Sequence, residues 1–319
     1  MQTRKLGRLG PVSALTIGGG GLGQVWGSTS REEAIATLHE AVDGGITLID
    51  MAPLYGNGEA EIVVGEAFRG TLPPGVRVTT KHLLGNPPAS DVYDHLSSSL
   101  DNSLDRMQLK RVDVFILHGM ISAEARDGAT SRTARATFKR ALVPAFERLM
   151  AEGRIGAWGI TGVGEPAAVI ETLDDDPPPF AAQCIANLLD SRGSMARFEG
   201  DARPREIIAT ARRRGVGVLG IRAVQAGALT DQFDRDLPRD HPEMLDYVRA
   251  ANFRELARAQ SVSPAFLAHR YALSMEGVDT VVLGVKNRTE LRECLAAEAA
   301  GPLPASTIAA INASVASPH

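Results

Sequence analysis

The feature that most narrows the folds open to this chain is a regular alternation of short apolar strands with helical patterns, repeated eight times. The strands read "LTIG" (15–18), "ITLID" (46–50), "VRVTTK" (76–81), "VDVFILH" (112–118), "IGAWGIT" (155–161), "FAAQCIAN" (180–187), "VGVLGIR" (216–222) and "VDTVVLGV" (278–285). Stretches such as "STSREEAIATLHEAVDGG" and "SDVYDHLSSSLDNSLDRM" between them carry helix caps and helical spacing. Strands that are apolar on both faces and joined by helices form a parallel sheet. Eight even units predict a closed (β/α)8 barrel, and 319 residues suit one such domain over 1–319, since a barrel takes about 250 residues plus insertions. The leading "TRKLGRLGPVSALTIG" predicts a hairpin with a Leu-Gly-Pro turn that closes the barrel bottom. Extra helices follow the barrel pattern, one of them near "HPEMLDYVRAANFRELARAQ".

A glycine run tests that reading. "TIGGGGLGQ" fits G-x-G-x-x-G at Gly18, Gly20 and Gly23, a dinucleotide-binding fingerprint. The fingerprint needs a helix opening at once and an acid about 20 residues on. Here the first helical pattern starts beyond Gly27, and the strand-end acid Asp50 lies about 30 residues past Gly18. The glycines therefore go with the barrel. Net charge of −4 and a pI of about 6.0 give no reason to expect nucleic acid or an anionic membrane as partner. The two cysteines, Cys184 and Cys294, are far apart and suit a reducing compartment. No signal-peptide pattern and no membrane-length apolar run is present, so a cytoplasmic protein with a small-molecule substrate is expected.

In such a barrel the reactive groups sit at the C-terminal ends of strands. The second strand ends in "LIDMAPLYGNGEAE", giving Asp50 and Tyr55; the third in "VTTKHLL", giving Lys81; the fourth in "FILHGM", giving His118. A phenol is a poor acid at neutral pH, and a nearby ammonium favours its phenolate form. A carboxylate keeps the ammonium charged and aimed, and an imidazole can orient a carbonyl oxygen. The set suits proton transfer to a developing alkoxide. It contains no hydride source, metal site or activated nucleophile, so a hydride carrier must come from outside.

At these residues the sequence resembles the aldo-keto reductase superfamily. "GGITLIDMAPLYGNGEAEIVVGEAF" is similar to its signature, and "VTTK", "ILH", "GRIGAWGITG", "AAQCIANLLD" and "VLGVKNRTEL" match further motifs in order. The resemblance implies Tyr55 as general acid or base, Lys81 lowering its pKa, Asp50 paired to Lys81, and His118 orienting the carbonyl. It implies a nicotinamide dinucleotide, NADP(H) or NAD(H), with Thr161, Gly162 and Gln183 at the carboxamide. Gly20, Gly21 and Asp50 would line the nicotinamide end, with Ile221 against the ring. Gly227 and Leu229 would contact the pyrophosphate through the backbone, and Gly284, Lys286 and Glu290 would take the adenosine end. Trp26, Tyr55, His118 and Met120 would shape the substrate pocket for a small aldehyde, ketone or sugar.

The sequence departs from the pattern in places. Gly162 stands where an Asn is usual, and Ile221 where an aromatic often stacks. Arg222 would either reach the pyrophosphate or be a solvated strand end. Glu290 stands where Arg or Gln is common; a carboxylate there repels a 2′-phosphate and accepts a hydrogen bond from a ribose hydroxyl. Alternatively it pairs with Lys286 or Arg292 on the helix. The competing functions are an NAD-dependent aldose 1-dehydrogenase and, as in channel-associated members of the superfamily, a cofactor-dependent binding subunit with little turnover.

Overall fold

The computed structural model describes residues 1–125, 130–195, 198–231, 233 and 235–315. Strands β1 (Thr3–Lys5) and β2 (Pro11–Ser13) form the antiparallel hairpin. The barrel consists of β3 (Leu15–Gly18), β4 (Leu48–Asp50), β5 (Arg77–His82), β6 (Val112–Leu117), β9 (Ile155–Thr161), β10 (Ala181–Ile185), β11 (Gly217–Ile221) and β12 (Thr280–Leu283). All neighbours pair in parallel and β12 closes onto β3, as the alternation predicts. Between β6 and β9, β7 (Met120–Ser122) and β8 (Arg132–Ala134) make a small parallel ribbon inside a stretch that reads as a polar loop in the sequence. Residues 126–129 of that loop lie outside the described residues, as does 316–319 of the tail.

The helices form where the sequence caps them. In Arg31–Asp43 the Ser30 hydroxyl accepts from the Glu33 amide at 3.1 Å, and Gly45 leaves the helix at φ +90°. Its buried residues Ala34, Thr37, Leu38 and Ala41 follow the i, i+3, i+4, i+7 spacing of one helix face. Similar faces on the other helices pack on the outside of the strands, where the buried Trp158 stacks on Phe146 with centroids 5.6 Å apart.

Period-two alternation sorts each strand into an outward residue, facing the helices, and an inward one. Inside the barrel, Leu48, Val114, Ile116, Ala157, Ala181 and Leu219 form a separate apolar cluster with Leu6 and Val12 of the hairpin. Leu6 plugs the bottom, and Gly217 makes room for it, since a Cβ there would lie 2.8 Å from the Leu6 side chain. Arg77 donates to the Leu9 and Pro11 carbonyls, and Arg8 to those of Pro178 and Pro179, so the hairpin is bolted across the base. Truncating Leu6 to Ala would cost about 2–5 kcal/mol by the usual toll of a core cavity. With the base sealed and apolar, the buried ion pair of the interior lies toward the opposite end.

Candidate active site

Asp50, Lys81, Thr161 and Gln183 stand on four barrel strands two residues above apolar or small interior positions. The same alternation that makes the base apolar therefore brings polar groups together at the mouth. Lys81 is fully buried, and Asp50 is 2 % exposed. All three ammonium protons are used: Lys81 Nζ donates to Asp50 Oδ2 at 2.8 Å, to the Met51 carbonyl at 2.8 Å and to the Tyr55 hydroxyl at 3.2 Å. The other carboxylate oxygen, Asp50 Oδ1, accepts from Thr79 Oγ1 at 2.6 Å and Gln183 Nε2 at 2.7 Å. The carboxylate thus has donors on both oxygens, the arrangement that makes a buried charge tolerable.

Burial works against the ammonium of Lys81, but Asp50 and Tyr55 outweigh it and hold its pKa above the ordinary value. Tyr55 departs from expectation. Burial pushes its phenol above the usual value, and the pull of Lys81 in the other direction only reduces the rise. Lys81 does pull this pKa down, as expected, but desolvation outweighs the pull, and the phenol keeps its proton at neutral pH. His118 meets the Tyr55 ring edge-on, with centroids 5.6 Å apart. Burial, and then the charge of Lys81, depress its pKa to about 3, so the imidazole is neutral. Its Nδ1 is buried without a hydrogen-bond partner.

Thr161 and Gln183 line the mouth, but they are engaged: Thr161 Oγ1 donates to the Leu117 carbonyl at 2.9 Å, and Gln183 donates to Asp50. Gly162 has a packing reason, since a Cβ there would lie 2.9 Å from Cys184 Sγ, which leaves no room for the usual Asn. Met120 and Ile221 meet in an apolar patch with Val163, Ile185, Met195 and Phe198.

The glycines divide. A Cβ on Gly20 would come 2.6 Å from Trp26 Nε1, and one on Gly284 would lie 3.4 Å from the same ring, so Trp26 lies across both. Gly21 is different. A Cβ there would fall 2.0 Å from the Val285 carbonyl oxygen, so backbone rather than a side chain occupies the space beside it. A single helical turn, Gly19–Leu22, follows β3 where the sequence suggests none, yet the crossover helix begins only at Arg31. Gly227 sits at φ +94° with open space beside it, in the turn that precedes the buried Leu229.

Arg222 is not a solvated strand end. Its side chain is 8 % exposed, with Nη2 2.8 Å from Glu243 Oε1 and Nε donating to Gln225 Oε1 at 2.9 Å. Its Nε and Nη2 are thus both committed to the protein. Glu290 takes the alternative reading: it accepts from the Lys286 amide at 2.8 Å and lies 3.0 Å from Lys286 Nζ, while Arg292 pairs with Glu40.

Thr79, the Met51 carbonyl and the patch members Val163, Ile185, Met195 and Phe198 were not among the expected residues. Thr79 was readable, because it lies two before Lys81 on the same inward face. Phe198 sits in a polar loop whose sequence gives no periodic signal.

A family model described as "Aldo/keto reductase family" matches residues 14–316. The chain is 27 % identical to the L-galactose dehydrogenase of Arabidopsis thaliana over 93 % of this chain and 88 % of that one. It is 25 % identical to the pyridoxal 4-dehydrogenase of Microbacterium luteolum over 92 % and 91 % of the two chains. In fold it matches an aldo-keto reductase from Klebsiella pneumoniae solved in complex with NADPH, with a TM-score of 0.69 at 22 % identity over 98 % and 94 % of the chains.

Proposed function

The chain belongs to the aldo/keto reductase family, an oxidoreductase family, and on that premise we propose that it moves a hydride between a nicotinamide dinucleotide and a small carbonyl or alcohol, with Tyr55 handling the proton. The observation that carries this reading is the use of the third Lys81 proton. Because the Tyr55 oxygen accepts from Lys81, its own O–H is left to donate outward. A phenol held above its usual pKa stays protonated at neutral pH and is an acid for a carbonyl oxygen gaining charge. The neutral His118 presents a second polar contact to the same oxygen and carries no charge to compete with Lys81. Asp50 keeps the ammonium charged throughout.

A nicotinamide cofactor fits the donor set, which provides a proton and no hydride. When bound, it supplies or takes the hydride. The residues that would hold it are Thr161 and Gln183 at the carboxamide, Ile221 beside the ring, Gly20 and Gly284 along the groove with Trp26 beside them at the substrate side, Gly227 and Leu229 at the pyrophosphate, and Lys286 with Glu290 at the adenosine end. Met120 and its apolar neighbours would face a small substrate.

A second reading, oxidation of a sugar with NAD, is favoured by Glu290. Its carboxylate holds both the backbone and the ammonium of Lys286, so Lys286 is not left as a bare cation for a 2′-phosphate. The dehydrogenase names of the two relatives agree with that direction. The test is kcat/KM with NADPH and NADH on small aldehydes, and with NADP and NAD on aldoses at mildly alkaline pH, for wild type and Tyr55→Phe. Turnover in either direction that survives Tyr55→Phe would refute the role of the phenol. Cofactor binding without turnover on any carbonyl or sugar would support a binding subunit instead.

A further inference from the structure

Away from the barrel mouth, a cleft of about 720 Å³ opens between the segment after β10 and the helix Pro242–Arg249. It shares no lining residue with the Asp50, Tyr55, Lys81 and His118 set. Most of the charges along it are already matched. Arg205 lies 2.7 Å from Asp190, Arg203 lies 2.5 Å from Glu206, and Asp246 accepts from Ser191 at 2.6 Å and Gln225 at 2.7 Å. Arg192 is not. The Arg192 side chain lines the cleft and is 8 % exposed; among the described residues it donates through Nη2 only to the Gly200 carbonyl, and its Nη1 is buried without a partner. A buried cation with no acid beside it is costly unless an anion completes it. Arg249 also lines the cleft, and among the described residues its one hydrogen bond is to the Leu189 carbonyl, at 3.0 Å.

A second feature points to the same chemistry. The ten-residue helix Pro204–Arg213 begins at the cleft, and no side chain caps its first turn. Free amides and the positive end of a helix dipole favour an anion. We propose that this cleft binds a phosphate-bearing small molecule, with Arg192 as the buried cation, the first turn of Pro204–Arg213 as the amide donor and Arg249 at the rim. The cleft is larger than a bare phosphate needs and is of the size that takes a small ester.

The test is titration calorimetry of the protein saturated with cofactor, so that the cofactor groove is filled, using inorganic phosphate, glucose 6-phosphate and glucose as probes. Saturable binding of a phosphate probe, with none of glucose, is expected. Arg192→Gln should weaken it about tenfold or more, as the loss of a charge-assisted hydrogen bond does, and Arg192→Lys should restore part of it. Arg249→Glu, at an exposed position that leaves the buried groups alone, should weaken it too and keeps the proposal open to refutation if Arg192→Gln does not fold. Tighter binding of the ester identifies a phosphate ester as occupant, and equal binding identifies the free anion; both support the site. No saturable binding of either phosphate probe overturns it, as does binding that every folded variant leaves unchanged.

Discussion

The Lys81–Asp50 and Arg222–Glu243 ion pairs are both buried, and they are built for different ends. Lys81 and Asp50 stand on neighbouring strands of a closed barrel, where the ladder fixes both backbones. Arg222 follows the end of β11 at φ +62°, and Gln225 and Ala226 after it also have positive φ, so this pair holds a strained segment in place. Arg222 directs its side-chain contacts to Glu243 and Gln225. Lys81 instead spends one proton on a phenol that can exchange its own. Two equally dry pairs therefore differ in output: one feeds chemistry, and the other fastens a loop.

That contrast can be broken experimentally. Tyr55→Phe removes the chemical output alone; kcat should fall by about 10²–10⁴-fold, while denaturant unfolding shows a loss of only about 1 kcal/mol for one unmet hydrogen bond. Lys81→Met strands the Asp50 carboxylate and should cost about 3–5 kcal/mol of stability along with activity. Adding Asp50→Asn should recover much of the stability and none of the turnover; recovery of turnover would sink the assignment. Glu243→Gln strands Arg222 in the same way and should cost up to about 3 kcal/mol with kcat near wild type. A collapse of kcat there would erase the distinction between the pairs.

Two smaller effects sharpen it. Burial depresses the His118 pKa to about 3 and that of His82 to about 4, both below the unfolded value. Between those values and about pH 6.5 the unfolded chain binds more protons, so stability is full above pH 6.5 and is lost as pH falls. Midpoints of guanidinium unfolding at pH 7 and 5 should diverge in wild type and draw together in His118→Gln. Last, Glu290→Gln loosens a partly exposed pair, and the NADP-to-NAD ratio of kcat/KM should rise by about fivefold or less. An unchanged ratio removes Glu290 from cofactor choice.

The barrel was legible because its signal is repeated: eight strand periods, each flanked by caps, leave little freedom. The four mouth residues were legible because barrel strands place their chemistry at one end. What the sequence concealed depended on neighbours distant in the chain. Nothing around Arg222 announces Glu243, and Gly21 looks like its neighbours until Val285 is seen against it. The direction of the Tyr55 pKa was hidden for a related reason. Charge neighbours can be guessed from spacing, but the desolvation that outweighs Lys81 is a property of the packed mouth. The small ribbon of β7 and β8 was missed because three-residue strands carry too few residues for a period to show.

The chain has two tryptophans, and the fold gives them opposite optical duties. Trp158 is fully buried, stacked on Phe146, with its indole N–H held by Glu147 at 2.7 Å. Its emission should be blue, steady and indifferent to ligands. Trp26 lies across Gly20 and Gly284, two glycines proposed for the cofactor groove, with the Arg235 guanidinium 5.7 Å from its ring. The protein thus contains its own two-channel fluorimeter, one channel a reference and the other a detector, and Trp26→Phe should leave the reference lit and the detector dark.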